Sequence, residues 1–397
     1  MSGLESVSAV VLWVCLGLVA YTYVLYAPLI WACAKLFGRV NGPPSRGEAE
    51  LPSVSLLIAA HDEEAVIGER IRNALASDYP KDKFEIVIGS DGSTDRTAEI
   101  VSRHASDGVR LLDYKERRGK AAVLNASIRE VRGDVVLLSD ANTEIDARAV
   151  RSLARWFADP DVGTVCGTLV IVDPVTGRNV DGLYWKYETF LKRCESRLGA
   201  LLGSNGAIYA IRRDRYVPIR GDTIVDDFVI PLLSRLAHGS KILYDCDAVA
   251  REESAPDVRA EFRRRVRIGA GGFQSIGMLW RLLNPRHGWT AFAFLSHKIL
   301  RWLCPFFLLG ALVANCLLLD VRGYRVTMAC QVGFYVLSLA APLIPANGMP
   351  VRLLRLSTMF TGMNVALAFG FFRWVRGAQK GTWSRTARPV KADTVAD

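Results

Sequence analysis

Val135-Val136-Leu137-Leu138-Ser139-Asp140-Ala141-Asn142-Thr143 reads as a buried strand that ends in oxygen-bearing side chains. The same pattern occurs twice upstream. Leu56-Leu57-Ile58-Ala59-Ala60 runs into His61-Asp62-Glu63-Glu64, and Phe84-Glu85-Ile86-Val87-Ile88-Gly89 runs into Ser90-Asp91-Gly92-Ser93-Thr94-Asp95. Around these stretches, strand-like runs at 54–60, 84–89, 109–112 and 135–138 alternate with helix-like runs at 64–76, 94–104 and 120–131. That alternation predicts an α/β domain, a parallel sheet covered by helices. Ligands of such sheets sit just beyond the carboxyl ends of the strands. Three acidic strand ends therefore line one crevice, which suits a divalent cation bridging to a phosphate-bearing ligand.

After Asp159-Pro160 the alternation loosens. Later strands are expected at 165–172, 207–212 and 241–244, with a Tyr/Trp-rich helix around 184–193. A fourth acidic pair, Asp226-Asp227, opens an apolar helical stretch. Neighbouring residues on a helix diverge by about 100°, so the two carboxylates do different jobs. One can orient or cap; the other can face the crevice, where a carboxylate beside a hydroxyl acts as a general base.

Each motif also has an ordinary structural reading. The 90–95 segment is a turn with Asp95 or Ser93 capping the next helix. Its amides and helix dipole equally favour an anion, and Asp91 can accept hydrogen bonds from a nucleobase or ribose. Asp140-Ala141-Asn142 is either a capping turn or a metal site in which Asn142 adds only a neutral carbonyl. Lys120, after Arg117-Arg118-Gly119, can neutralise a diphosphate, although one glycine–lysine pair is far from a Walker motif. Arg263, Arg264, Arg265 and Arg267 can grip phosphates or carboxylates bidentately, or form a basic face beside a membrane.

Half of the 397 residues are hydrophobic, and the surplus is concentrated. Runs 6–34, 303–319, 326–351 and 356–372 carry no charge. A bilayer span takes roughly 20 apolar residues; the first and third runs are comfortable, and the second and fourth need tilt or snorkelling ends. The first is too long for a signal-peptide core and only Glu5 precedes it, so it reads as a retained anchor. Segment 290–302 is interrupted by His297, Lys298 and Arg301, which suits a headgroup-level helix before an inward turn at Pro305.

The net charge of +10 gathers at the flanks of these runs: Lys35, Arg39 and Arg46, then Arg281, Arg286, Lys298 and Arg301, then Arg373 to Lys391. Such flanks face the cytoplasm and meet anionic membrane lipids. No nucleic-acid motif accompanies the charge, which excludes a nucleic-acid partner. The eight cysteines form no CxxC pair, so neither a zinc site nor a disulfide framework is expected. One anchor followed by three spans would put the basic tail outside, against its charge; a missed span or a re-entrant hairpin near 342–350 reconciles the two.

Taken in order, these residues resemble the family 2 glycosyltransferases of GT-A fold, especially membrane-anchored polysaccharide synthases, over about 53–274. The resemblance implies a Rossmann-like mixed sheet, with Asp62-Glu63 at the first strand end beside the nucleotide and Asp91 on the uridine. His61, Glu63 and Asp91 would hold the nucleoside, and Lys120 matches the lysine of the family's Gly-Lys segment. Asp140-Ala141-Asn142 stands for the metal-binding DXD motif, with asparagine replacing its second aspartate, and Mg²⁺ or Mn²⁺ as the cofactor. Asp226-Asp227 matches the Glu-Asp pair whose aspartate is the base, so Asp227 takes that role. Arg264-Arg265-Val266-Arg267-Ile268 is the nearest match to the processive Gln-x-x-Arg-Trp motif. Arg264 and Arg267 would meet the donor diphosphate, and Trp185 or Tyr187 would replace the missing tryptophan platform for the acceptor. Weaker support comes from 296–302 and 383–386.

The expected organisation is an anchor at 1–38, the GT-A domain at 50–256, amphipathic interfacial helices at 257–302, membrane helices at 303–373 and a basic tail at 374–397. The expected activity is inverting transfer of a sugar from a nucleotide sugar, UDP-linked by the resemblance, to a growing polysaccharide or lipid-linked glycan. The setting would be a bacterial inner membrane with the domain cytoplasmic, with an oligomer or secretion partner completing a channel. Alternatives are a single addition to a polyprenyl phosphate or other lipid acceptor, a nucleotidyltransferase, and a non-catalytic nucleotide-sensing scaffold.

Overall fold

The computed structural model describes residues 2–39, 42, 50–174, 176, 178–179, 182–254, 257–344 and 349–379. The expected break at 41–45 (Gly42 apart), the 383–386 motif, the tail beyond 379 and the middle of the 342–350 hairpin lie outside the described residues. The chain divides into two compact units. One holds Trp31–Pro256 and Met278–Ala293; the other holds Met1–Ile30, Asp257–Gly277 and Phe294–Gln379.

The first unit is built on an eight-stranded sheet: β1 (Val54–Ala60), β2 (Phe84–Asp91), β3 (Val109–Tyr114), β4 (Val135–Asp140), β5 (Glu144–Ile145), β6 (Val162–Val172), β7 (Tyr209–Arg212) and β8 (Lys241–Glu253). The spatial order is β3-β2-β1-β4-β7-β6-β8-β5. β1 pairs parallel with β2 and β4, and β2 with β3. β7 runs antiparallel to both β4 and β6, which makes the sheet mixed. All seven residues of β1 are buried, as expected of a central strand covered on both faces. Leu56, Ile58, Ile88, Val135 and Leu137 form the floor of the core with Ile67, Ile71 and Ala74 of the helix Ile67–Leu75. Each of the Val, Leu and Ile side chains contributes about 1.5–3 kcal/mol on burial.

The carboxyl ends of β1, β2 and β4 are in register: Ala60 lies opposite Ser90, and Ala59 opposite Asp140. The three acidic strand ends therefore do open on one edge. β2 and β4 run two residues further than the hydropathy pattern suggests, because Ser90-Asp91 and Ser139-Asp140 still pair along the sheet.

The expected headgroup helix with a turn at Pro305 is corrected. A continuous helical stretch, Trp289–Cys316, runs through Pro305 and begins well before the expected boundary at 302/303. The reason is that its polar residues are satisfied by the first helix. Arg301 is 8% exposed and His297 3%, Arg301 meets His297 Nε2 at 3.3 Å, and its guanidinium lies over the Tyr23 ring. Tyr21 donates to Ser296 at 2.8 Å. Three helices among the described residues are long and apolar enough to cross a membrane: Gly3–Phe37, Trp289–Cys316 and Arg322–Leu343. The fourth charge-free run lies in the helix Met349–Val375, which is not one of these three. Polar positions such as Asn364, which donates to Tyr23 Oη at 3.2 Å, dilute its hydropathy.

Candidate active site

Asp91, at the end of β2, is fully buried. Its two carboxylate oxygens accept from the Arg118 and Gly119 amides at 2.6 and 2.9 Å. It thereby fixes the loop that delivers Lys120 to the start of the helix Lys120–Ser127. The loop passes so close to the β2 turn that a side chain at Gly92, which has φ +59°, would come within 2.6 Å of the Arg117 amide. His61 is also buried and donates from Nδ1 to the Asp91 carbonyl at 2.7 Å. Asp62 adopts φ +53°, and its carboxylate accepts from the Thr94 amide at 2.7 Å. The backbone of Glu63 is pinned by Thr97 Oγ1 at 2.8 Å.

Lys120 is the hub. Its Nζ lies 2.7 Å from Asp140 Oδ1 and 3.3 Å from Asp226 Oδ2. Burial works against its charge, but Asp140 and Asp226 outweigh that and raise its pKa. Asp226 and Asp227 open the helix Asp226–His238. The two do diverge, Asp226 toward Lys120 and Asp227 toward the loop before β7. There the Gly206 amide donates to Asp227 Oδ2 at 3.0 Å, and the Ser204 amide to the Asp227 carbonyl at 2.9 Å. A Cβ placed on Gly206 would stand 3.2 Å from Asp140 Oδ2 and 3.7 Å from Asp227 Oδ2. The ends of β4 and of the Asp226 helix thus meet over one glycine. Burial first, then Asp226, lift the Asp227 carboxyl to about 6, against the opposing pull of Lys120 and Lys192.

Three residues of this site escaped the sequence reading. Arg70 is buried beneath β4, donating to Ser139 Oγ at 3.2 Å and, more weakly, to the Asp140 carbonyl at 3.4 Å. Burial lowers its pKa to about 10, with Asp140 opposing. A signal existed, since Arg70 occupies an inward position between Ile67, Ile71 and Ala74 at helical spacing. Lys192, on the helix Leu183–Arg197, hydrogen-bonds Asn205 Oδ1, and Asn205 Nδ2 donates to the Gly167 carbonyl at 2.9 Å. Lys192 therefore braces the turn that carries Gly206, the third residue missed. Trp185 and Tyr187 are half-buried on the Lys192 helix.

Arg264 and Arg267 belong to the other unit, on the helix Val258–Leu279. There Glu261 pairs with Arg265 at 2.8 Å and with Arg264 at 3.7 Å.

Among the described residues, the ligating atoms of Asp140, Asp226 and Asp227 do not gather into a closed trio; the group that does is Asp245, Cys246 and Asp247. Asp140 keeps Oδ2 beyond Lys120, and Asn142 is half-buried two residues on. One carboxylate and one amide oxygen fit an ion that takes its remaining ligands from substrate phosphates and water, which is how Mg²⁺ is commonly held.

Residues 55–216 match the family described as Glycosyl transferase family 2, and the chain carries a glycosyltransferase domain of that family with the GT-A fold. It is similar to the poly-beta-1,6-N-acetyl-D-glucosamine synthase of Staphylococcus aureus, 28% identical over 59% of this chain and 58% of the relative. It is also similar to the beta-monoglucosyldiacylglycerol synthase of Synechocystis, 26% identical over 64% of this chain and 55% of the relative. The chain thus spans little more than half the length of these relatives. A mannosyltransferase from Pyrobaculum calidifontis, solved with GDP-Man and Mn2+, shares the fold with a TM-score of 0.70. That match is 21% identical and covers 94% of this chain and 99% of the other.

Proposed function

We propose that the chain is an inverting glycosyltransferase that moves a sugar from a UDP-linked nucleotide sugar to a hydroxyl of a growing polysaccharide or lipid-linked glycan at the membrane. The observation that carries the proposal is the meeting of Asp140 and Asp227 over Gly206, with Lys120 paired to Asp140. Asp227 takes the acceptor proton as the hydroxyl oxygen attacks C1 from the face opposite the leaving UDP. Its carboxyl, lifted to about 6, is matched to a base working near neutrality. Lys120 meets the negative charge that grows on the diphosphate. Asp140 and Asn142 would hold Mg²⁺ or Mn²⁺, which supplies further electrostatic stabilisation of the leaving group. His61, Glu63 and Asp91 form the nucleoside end, Asp91 by ordering the loop as well as by contact. Trp185 and Tyr187 are the proposed acceptor platform.

Basic residues beside the first span, Lys35 and Arg39, support a cytoplasmic domain at a bacterial inner membrane. Ile268 favours a second reading, single addition to a lipid acceptor. It stands where the processive synthases carry tryptophan, and it is half-exposed at 43%, so no ring is offered there for a sugar to stack on.

The test is release of UDP from a panel of nucleotide sugars by the membrane-embedded chain and by Asp227→Asn. Transfer should be abolished in the variant while nucleotide binding is retained. Full turnover by Asp227→Asn removes the base assignment, release of pyrophosphate in place of UDP overturns the reaction class, and product length separates polymerisation from single addition.

A further inference from the structure

The Asp226 helix has a second end, and it borders a groove unrelated to the acids. Leu233, Leu236 and Ala237 form one wall with Val217; Met278, Trp280, Arg281, Leu283, Asn284, Pro285 and His287 form the other, enclosing about 890 Å³. That volume lies within the range of roughly 300–1,000 Å³ typical of small-molecule sites, which are mostly apolar with a few polar anchors. Leu236 lies nine residues beyond Asp227, about 14 Å along a helix, so the groove is not where the transfer chemistry occurs.

Three observations identify its occupant. Trp280 is 63% exposed and Leu283 37%, large apolar side chains left open at the mouth of the groove. Arg281 and Arg286 are exposed, and among the described residues neither has an acidic partner. Finally, the wall 278–287 leads directly into the membrane-length helix Trp289–Cys316, and the Trp289 ring packs tilted 5.6 Å from that of Phe37, where the first membrane-length helix ends. Within its own unit the groove wall thus leads to the ends of two candidate spans, with aromatic, apolar and cationic groups arranged as membrane-interface segments arrange them.

We infer that this groove binds one anionic glycerophospholipid, with an acyl chain against Leu233, Leu236 and Leu283 and its phosphate on Arg281, Arg286 and His287. Because Leu233, Leu236 and Ala237 sit on the helix whose first turn carries Asp226 and Asp227, the bound lipid also steadies that helix and couples membrane composition to the site. The lipid site stands independently of the transfer reaction; only the activity measurement rests on that reading.

The full chain is placed in nanodiscs of phosphatidylcholine with increasing phosphatidylglycerol, and lipid retained after extraction is counted by native mass spectrometry. Wild type should keep phosphatidylglycerol selectively. Arg281→Gln and Arg286→Gln should each weaken retention about fivefold, the value of one cation at an anionic lipid surface. Arg373→Gln with Arg376→Gln, at the end of the last helix, should leave it unchanged. Leu236→Glu, which places an acid in the apolar wall, should abolish retention while the thermal transition survives. In parallel, UDP release should rise with phosphatidylglycerol in wild type and stay flat in the Arg281→Gln/Arg286→Gln protein, and glycerol phosphate in solution should not substitute. Equal retention by all variants, no selectivity for the anionic lipid, or occupation of the groove by a second copy of the chain overturns the inference. Loss of UDP release in every lipid with retention intact would instead overturn the transfer reading.

Discussion

Lys120 Nζ sits 2.7 Å from Asp140 Oδ1 while also reaching Asp226 at 3.3 Å, so one ammonium neutralises acids from two separate elements. Lys120→Ala leaves both carboxylates uncompensated. Loss of a charge-assisted hydrogen bond weighs about 1.5–3 kcal/mol, so kcat/KM for the donor should fall roughly 10- to 100-fold. Steady-state kinetics of UDP release measure this. An unchanged kcat/KM would show that the ammonium is only a structural counter-ion.

The Asp227 carboxyl is raised from 3.8 to about 6. Its basic form is needed for the proposed proton transfer, so kcat should climb about tenfold per pH unit below 6 and level off above it. Lys192 and Lys120 both pull the value down, so Lys192→Met should move the midpoint upward without altering donor KM. The stability sign is opposite to the activity sign. A raised carboxyl binds its proton more tightly in the folded chain, so it costs stability as pH rises from about 4 through 6. Asp227→Asn should therefore melt no lower than wild type at pH 7.5, as judged by thermal denaturation in detergent.

Arg70 is sealed under β4 with its donors on Ser139, Asn73 and the Asp140 carbonyl. Arg70→Ala opens a cavity and strands those acceptors, which should cost about 3 kcal/mol. Lysine cannot reproduce the planar fork, so Arg70→Lys should recover only part of the loss. Chemical denaturation of the solubilised protein separates the three chains.

A Cβ on Gly206 would press on Asp140 Oδ2 at 3.2 Å, close enough to displace that carboxylate by a few tenths of an ångström, and would touch Asp227 Oδ2 at an ordinary 3.7 Å. Gly206→Ala should lower kcat at least tenfold while its thermal transition stays within about 1 kcal/mol of wild type, the usual reach of a tolerated small substitution. A normal kcat would mean that the two carboxylates need not approach one another during turnover.

Much of this architecture was legible in the residues because parallel strands buried on both faces announce themselves as unbroken apolar runs. β1 matches its expected span residue for residue, and the acids at the ends of β1, β2 and β4 line one edge as their positions implied. The expected cap by Asp95 or Ser93 is corrected: the helix Thr97–Arg103 is preceded by Arg96 with no side-chain cap, and Asp95 accepts from the Thr97 amide at 2.9 Å in a turn. What stayed hidden depended on pairing between distant segments. Nothing near Gly206 announces a hydrogen bond to a residue 21 positions away, and Lys192 looks like one more solvated lysine until Asn205 is placed beside it. The Pro305 turn failed for the same reason. Arg301 and His297 look interfacial by themselves, yet they are satisfied by Tyr23 and by each other inside the helical unit.

β7 is the interior strand that runs against its neighbours, and this reversal brings the 203–206 turn to the same edge as Asp140. The pieces contributed by β1, β2 and β4 belong to the parallel part of the sheet, whereas the turn beside Asp227 is anchored through β7 and the Lys192 helix. Changes in length or sequence between 198 and 206 can therefore reshape one bank of the crevice while the other keeps its register. On the proposed assignment, a scaffold organised this way can trade acceptors without relearning how to hold a nucleotide.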